Sequence, residues 1–183
     1  MKQVLILHID HDDDDRDIHF LGQHVRLLRR GCGGELKAAQ DLIAQYDGQV
    51  DAIGLEDMPA QLRLGTSSSA HKIGALLAGM AEDTPVVDGR GIRAGLERWG
   101  VILGDRAEPG IFSNKRVLMV PGLNHNGLAQ ALGQRGTSLR YADPNIYFGL
   151  PHFPGVSSRQ TLEQAAPAAL EISATSKSWS ILL

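Results

Sequence analysis

The sequence contains a single cysteine, Cys32, which excludes an internal disulfide and a cysteine-cluster zinc site. Aromatic residues make up only 5% of the 183 residues, and they lack the stacking pattern of a single-strand nucleic-acid binder. The net charge of −3 argues against binding by phosphate neutralisation. No apolar run reaches the roughly 18 residues of a membrane helix, and the start, MKQVLILHIDHDDDD, is too acidic for a secretory signal. We therefore expect a cytoplasmic protein that binds neither nucleic acid nor membranes.

Glycine, by contrast, is abundant. The chain has 21 glycines among its 183 residues, about 11% against a usual ~7%. Hydrophobic residues make up 43% and charged residues 21%, which is typical of a globular protein rather than a disordered one. So many glycines predict numerous tight turns between regular elements, or backbone that lies close to a ligand.

Short apolar runs alternate with longer amphipathic segments along the chain. Period-two spacing on both sides of Gly22-Gln23 predicts a β-hairpin within residues 17–29. Apolar residues at helical spacing predict helices near 36–46, 71–80, 92–103 and 128–134. Short apolar runs predict strands near 4–7, 50–55, 84–87, 116–120 and 139–142. This alternation indicates a Rossmann-like α/β fold, in which a mostly parallel sheet is flanked by helices.

The pattern predicts a single α/β domain over residues 1–163. Within it we expect an N-terminal α/β part over about 1–113 and a Rossmann-like βαβ unit over 114–163. Residues 164–183 are rich in alanine and serine and lack turn residues, and Pro167 interrupts any helix there. This last segment is expected to be a loosely ordered tail.

Residues 115–145 have the pattern of a strand, a turn, a helix and a second strand. Gly122-x-Asn124-x-x-Gly127 is the G-x-G-x-x-G dinucleotide fingerprint with asparagine at its middle position. Asp143 follows Gly122 by 21 residues, where an acid would bind a ribose 2′-hydroxyl group. The four residues predict a site for NAD or NADP, with NAD favoured because a carboxylate repels a 2′-phosphate. The alternative is an ordinary βαβ unit whose glycines serve its turns, because the side chain of Asn124 obstructs a pyrophosphate.

A second strand–turn–helix segment, residues 84–99, carries Asp88, Gly89, Gly91 and Arg93. Ligands of open α/β sheets bind at the carboxyl ends of the strands, so these residues are candidates for binding a polar substrate. Arg93 can bind a carboxylate through a bidentate pair. In the alternative interpretation, Asp88 simply caps the helix that follows.

The run HIDHDDDDRDIHF, residues 8–20, concentrates histidine and aspartate. Such side chains ligate divalent metals, but the run lacks the spacing of a calcium loop and has no helical His-x₃-His pair. We interpret it as a solvated acidic loop before the hairpin and expect no metal. Nucleophilic catalysis has little support, because the chain lacks a Gly-x-Ser-x-Gly elbow. The alternatives are a reactive thiolate at Cys32, which is flanked by glycines near a helix start, and a ligand contact by His125, although a lone loop histidine usually has no such role.

A family resemblance extends over roughly residues 2 to 165. It is carried by FLGQHVRLLRRG, GELKAAQDLIAQYDGQVDAIGL, TPVVDGRGIRAGLERW, KRVLMVPGLNHNGLAQAL and YADPNIYFGLPHFPG. These segments resemble a family of bacterial predicted dehydrogenases, often labelled quinate 5-dehydrogenase by distant similarity to shikimate/quinate dehydrogenases. The resemblance implies a Rossmann-like oxidoreductase that uses NAD or NADP on a small hydroxylated organic acid. It also implies cofactor roles for Gly122, Gly127 and Asp143, and substrate roles for Asp88 and Arg93.

The chain departs from this family in two ways. The Lys/Asp catalytic pair typical of shikimate dehydrogenases has no match here, so the catalytic residues are unknown. Family members also continue past the end of this chain, and the similarity stops after about Ala166. We therefore expect a truncated family member that corresponds to the N-terminal part only. An incomplete sheet leaves an unpaired edge, which favours a homo-oligomer.

Three functions are considered from these patterns, and the third, a divalent-metal-dependent hydrolase, requires the acidic run at residues 8–20 to fold inward. The first is an NAD(P)-dependent oxidoreductase, a dehydrogenase that acts on a small hydroxylated organic acid. The second is a non-catalytic α/β domain that binds a small anionic ligand at the Asp88–Arg93 turn. The lack of a convincing acid–base pair in the sequence favours the second.

Overall fold

The computed structural model describes residues 1–147 and 155–175. They form two compact units, of which the first comprises Met1–Leu62 and Ala70–Arg90, and the second Arg63–Ser69 and Gly91–Thr175. The chain therefore divides at residues 90/91, whereas we predicted one domain over 1–163 whose parts meet near 113/114. The predicted boundary lay just before a clear strand, but the helix that precedes that strand shares a hydrophobic core with the residues that follow it.

The first unit contains a five-stranded sheet and two helices. Up to residue 90 the elements are β1 (Lys2–His8), β2 (Asp14–Phe20), β3 (Gln23–Gly31), α1 (Leu36–Tyr46), β4 (Ala52–Leu55), β5 (Gln61–Leu64), β6 (Ser67–Ala70), α2 (Lys72–Ala78) and β7 (Val86–Val87). β5 and β6 pair separately as a two-stranded sheet. The middle of that hairpin, Arg63–Ser69, belongs to the second unit.

The five strands lie in the order β2-β3-β1-β4-β7. β1 is parallel to β3 on one side and to β4 on the other, and β4 is parallel to β7. β2 and β3 form the predicted antiparallel hairpin, with its turn at Leu21-Gly22. The prediction of an α/β protein with an N-terminal hairpin and a mostly parallel sheet flanked by helices is thus confirmed.

Alternating side chains place the core of this unit on one face of the sheet. Leu5 and Leu7 of β1 are two residues apart, so they lie on the same face, where they pack with Ile53 of β4. α1 contributes Ala39 and Ile43, which are four residues apart and therefore share one face of the helix. The helical spacing recognised in the sequence is the spacing that buries α1 against the sheet.

The second unit is built around a short βαβ motif. Its elements are α3 (Arg90–Ala107, of which Arg90 belongs to the first unit), β8 (Arg116–Met119), α4 (Asn126–Gly133), β9 (Ser138–Tyr141), α5 (Asp143–Tyr147) and α6 (Arg159–Thr175). β8 and β9 are parallel and α4 connects them. Val101 of α3 packs with Ala131 and Leu132 of α4. Over the two described ranges, no helix is long and apolar enough to cross a membrane.

α6 corrects the prediction of a loosely ordered tail from residue 164. The helix continues to Thr175 with Pro167 inside it, and residues 176–183 lie outside the described part of the chain. A proline inside a helix removes one backbone hydrogen bond, but Pro167 is on the exposed side. The opposite side buries residues at helical spacing, namely Leu162, Ala166, Ala169 and Leu170. This burial outweighs the effect of the proline.

Candidate functional site

The turn that follows β8 begins with Gly122, the first glycine of the predicted fingerprint. A Cβ atom added to Gly122 would lie 2.0 Å from Cδ1 of Tyr141 on β9. Any side chain would therefore collide with the aromatic ring. Glycine is required here by the close approach of the neighbouring strand.

Asp143, the predicted ribose-binding acid, is fully buried, with 1% of its surface exposed. Its Oδ2 atom accepts a hydrogen bond from the N–H of Gly122 at 2.9 Å, and Oδ1 accepts one from Leu123 at 2.7 Å. The spacing of 21 residues thus brings Asp143 to the glycine turn, as the fingerprint predicts. The carboxylate holds that turn in place, however, and both of its oxygens are engaged.

The N-terminus of α4 lies directly against α3. A Cβ atom on Gly127 would lie 2.2 Å from the carbonyl oxygen of Ala94, so the two helices touch backbone to backbone. Close by, Oε2 of Glu97 accepts the N–H of Leu128 at 3.1 Å. The positive end of a helix attracts an anion, and at α4 a carboxylate of the protein itself occupies that position.

These contacts bear on whether NAD or NADP fits the turn. A pyrophosphate at the start of α4 would lie beside the like charge of Glu97. Each carboxylate oxygen of Asp143 already accepts a backbone N–H, and the side chain is only 1% exposed, so a ribose hydroxyl group would have to reach a buried acid. Asn124 carries a side chain where the fingerprint has glycine. Gly122, Asn124, Gly127 and Asp143 do lie together, but their arrangement does not fit a dinucleotide, and the NAD or NADP site stays a prediction.

The same carboxylate orients His125. Nδ1 of His125 lies 2.8 Å from Oε1 of Glu97. Because an ionised carboxylate can only accept hydrogen bonds, Nδ1 is the donor and Nε2 of the neutral ring carries the free lone pair. The side chain of Glu97 is 13% exposed and that of His125 is 32% exposed. A sheltered carboxylate that fixes a more accessible imidazole is the arrangement of a general base and its orienting group.

Arg93 lies one helical turn before Glu97, so both side chains share one face of α3. Nη1 of Arg93 is 3.4 Å from Oδ1 of Asn124, the residue that precedes His125. Among the described residues, no carboxylate lies within ion-pair distance of the Arg93 guanidinium group. The second unit therefore places a half-buried cation next to a histidine with a defined tautomer.

The predicted substrate cluster at 88–93 is divided between the units. Asp88 and Gly89 belong to the first, and Gly91 and Arg93 to the second. Oδ1 of Asp88 accepts the N–H of Arg90 at 3.2 Å, as expected if it caps the start of α3, and Oδ2 accepts that of Ala60 at 3.2 Å. Gly89 has a φ of +70°, a left-handed conformation that favours glycine. Of these four predicted substrate residues, only Arg93 belongs to the group of side chains around His125.

The acidic run does not form only a loop, because Asp14 and Asp15 belong to β2. Asp15 accepts hydrogen bonds from Nη1 of Arg30 at 2.6 Å and Nη2 of Arg26 at 3.0 Å. These two arginines of β3, Arg30 above all, lower the pKa of Asp15. Within residues 1–147 and 155–175, no three histidine, cysteine or acidic side chains are grouped so that they could hold a metal. The aspartates of the strand balance the arginines of its neighbour.

The first unit also has a groove of about 650 Å³ on the face of its sheet opposite the core. Its floor includes Val4, Ile6 and Leu27. At its rim, Nε of Arg29 donates to Oε2 of Glu56 at 2.9 Å, and this hydrogen bond raises the pKa of Arg29. These two rim charges neutralise each other, and so do those of Arg16 and Asp14. Asp88 and Gly89, two of the predicted substrate residues, also line this groove, and we assign no ligand to it.

Glu97 is the residue of the site that the sequence analysis missed. Its position four residues after Arg93 on a predicted helix was a usable signal, because that spacing puts both on one face. Its contact with His125 spans 28 residues, and no local periodicity reveals such a contact. His125 was therefore set aside as a lone histidine, whereas the structure gives it a partner.

The chain is thus an α/β protein of two units, with a βαβ turn in the second that gathers a histidine, a carboxylate and an arginine. Residues 4–88 match the family model described as Domain of unknown function (DUF8753). Residues 91–179 match the model described as Domain of unknown function (DUF8754). The two matches meet where the structure divides the chain. Searches with this chain matched no curated protein and no solved structure.

Proposed function

We propose that the second unit binds a small hydroxylated organic acid, with Arg93 holding its carboxylate and His125 accepting a hydrogen bond from its hydroxyl group. The observation that supports this most strongly is the 2.8 Å contact between Nδ1 of His125 and Oε1 of Glu97. A loop histidine without a partner has no fixed tautomer. Here a carboxylate held by the N–H of Leu128 fixes one.

The chemistry follows from the charges of the three side chains. When Nε2 of His125 accepts a proton, the ring becomes a cation, and the adjacent carboxylate of Glu97 stabilises it. The guanidinium group of Arg93 forms a charge-assisted pair with an organic acid, which places the acid at the edge of the βαβ turn. A carboxylate and a hydroxyl group on one small molecule match this pair of functions.

Binding of an organic acid by Arg93 is common to the first two functions considered from the sequence, whereas proton transfer at His125 belongs only to the dehydrogenase. A dehydrogenase would couple it to transfer of a hydride to NAD or NADP, as the resemblance to quinate and shikimate dehydrogenases implies. A non-catalytic domain would use only the ion pair with Arg93. The contacts of Asp143 and Glu97 count against a dinucleotide at the β8–α4 turn, so acid binding without a cofactor is the function that the geometry favours.

Calorimetric titration of the full chain with quinate and with shikimate, without a dinucleotide, tests this function. Arg93→Gln removes the cation, and we expect affinity to fall by about 10- to 100-fold, the equivalent of one charge-assisted hydrogen bond. Arg98→Gln is the matched control, because Arg98 is an exposed arginine of the same helix. It should leave the affinity unchanged.

Two results would contradict the proposal. One is a folded wild-type chain that binds neither acid, and the other is equal binding by wild type and Arg93→Gln. If binding is found, repeating it with NAD and then NADP separates the two functions. Formation of reduced nicotinamide indicates a dehydrogenase, whereas binding without turnover indicates a binding domain.

A further inference from the structure

α3 carries a row of apolar side chains on its exposed side. Ile92, Leu96, Trp99 and Leu103 are 64%, 61%, 54% and 54% exposed. They are separated by four, three and four residues, which is the a/d repeat of a coiled-coil contact rather than the broader stripe of a helix packed on a core. We refer to these four residues as the α3 seam.

The α3 seam is not the side that attaches the helix to its own unit. That attachment is made by Val101, which packs with Ala131 and Leu132 of α4, and by Ala94, which touches Gly127. The helix is therefore anchored on one side and leaves a second apolar side uncovered. Four large hydrophobic side chains in one row are more than the scattered single residues normal on a protein surface.

Two glycines inside α3 have no explanation in contacts with the described residues. A Cβ atom on Gly95 or on Gly100 would meet no atom within 4 Å. Neither has the positive φ that favours glycine. Glycine inside a helix costs about 1 kcal/mol relative to alanine. Both are direct neighbours of seam residues, where the lack of a side chain would let another helix approach closely.

We propose that the α3 seam is the contact of a weak homodimer in which two copies of α3 pack antiparallel. An antiparallel pair centred between Glu97 and Arg98 sets Leu96 against the partner's Trp99, and Ile92 against the partner's Leu103. The α3 seam therefore matches a second copy of itself that runs in the opposite direction.

The helix dipoles and the buried area agree with this arrangement. An antiparallel pair opposes the dipoles of the two helices, which favours this direction over a parallel one. With roughly 200 Å² for each large side chain, of which a little over half is exposed, the eight side chains of two seams bury on the order of 1,000 Å². That is about the lower limit for a specific interface, so we expect a weak dimer.

Sedimentation equilibrium of the full chain from about 5 to about 500 μM tests the dimer. The mass should rise from that of the 19.7 kDa monomer towards twice that value. Leu96→Glu should raise the dissociation constant by at least about 10-fold. Leu118→Glu is the matched control, since Leu118 is 58% exposed in the same unit but lies on β8. A wild type that stays monomeric throughout, or an equal loss in both folded variants, would overturn the proposal.

Disulfide trapping tests the direction of the helices. Ile92→Cys and Leu103→Cys are made separately, because the antiparallel register sets these two exposed seam residues opposite each other, and Cys32 is buried. The two variants mixed should form a mixed disulfide faster than either forms one with itself. Faster self-disulfides in the separate samples would indicate a parallel pair and contradict the antiparallel contact.

Discussion

Oδ2 of Asp143 accepts a hydrogen bond from the backbone N–H of Gly122 at 2.9 Å. The two residues are the first and last members of a spacing that predicts dinucleotide binding, and the structure joins them directly. In a dinucleotide-binding protein an acid at this position binds the ribose of the cofactor. Here it stabilises the glycine turn instead. A βαβ unit can therefore have the spacing of a cofactor site and use it to hold its own fold together.

Replacing Asp143 tests this structural role. In the wild type, both carboxylate oxygens of Asp143 accept backbone N–H groups. In Asp143→Asn an amide N–H₂ group, which is itself a donor, replaces one of these acceptors. We expect the free energy of unfolding to fall by about 1–3 kcal/mol, the penalty for a buried group left without its partner. Urea unfolding measures the change. Asp41→Asn is the control, because Asp41 is an exposed partner of Lys37 and should change stability by less than about 0.5 kcal/mol.

The two glycines of α4 should respond in opposite ways to alanine. In Gly127→Ala the new methyl group would lie 2.2 Å from the carbonyl oxygen of Ala94, and forcing the helices apart should destabilise the unit by about 1–3 kcal/mol. Gly133→Ala meets nothing within 4 Å and should stabilise it by about 0.5–1 kcal/mol. Thermal unfolding of both variants measures the difference. Similar melting temperatures would show that α3 and α4 are not in backbone contact.

Asp47 predicts loss of stability in acid. Its carboxylate accepts backbone N–H groups from Glu82 at 2.8 Å, Asp83 at 3.1 Å and Thr84 at 2.8 Å, and these bonds, that from Glu82 first, lower its pKa below 3.8. A lowered carboxylate pKa gives stability that is present above the unfolded value and is lost as pH falls through the folded one. Denaturant unfolding below pH 4 should therefore show a steeper loss in wild type than in Asp47→Asn. Parallel curves would refute this role.

His71 predicts a second loss of stability, at a higher pH than the loss predicted from Asp47. Its Nδ1 accepts the N–H of Gly74 at 3.2 Å as the N-cap of α2, and burial lowers its pKa below 6.5. Stability from the neutral ring is complete above that value and falls as pH decreases through the lower folded pKa. His71→Asn keeps a capping acceptor without a proton to gain, so its stability should change less between pH 7 and pH 5. His24→Asn, in the exposed hairpin, should leave the wild-type slope intact.

The parts of the fold that could be predicted are those that depend only on residues close together in the sequence. The hairpin around Leu21-Gly22 and the helix from Leu36 to Tyr46 follow from alternation and helical spacing, which are local properties of the chain. The run Ser67–Ser69 lies just before α2, where serine often caps a helix, but these residues pair with β5 as a strand, and His71 is the cap. Pairing between strands outweighed the local preference of serine for a cap.

The candidate site was less predictable because its contacts are distant in sequence. Arg93 was a candidate from its place after a strand, and Asn124 from the fingerprint. The bond between Glu97 and His125 depends on the way α3 crosses α4, and that crossing is set by Gly127 against Ala94. No single segment of the sequence reveals the contact between Glu97 and His125. The predicted fingerprint, Gly122 to Gly127, does contain the turn where this contact forms.

The tautomer of His125 tests the account of this site most directly. Long-range ¹H–¹⁵N correlation spectra of the imidazole groups distinguish a proton on Nδ1 from one on Nε2, and His125→Gln identifies the signals. We predict a neutral ring with its proton on Nδ1, bonded to Glu97, and loss of that preference in Glu97→Ala. A neutral His125 that carries its proton on Nε2 in the wild type would contradict the assignment of His125 as the hydrogen-bond acceptor for the ligand.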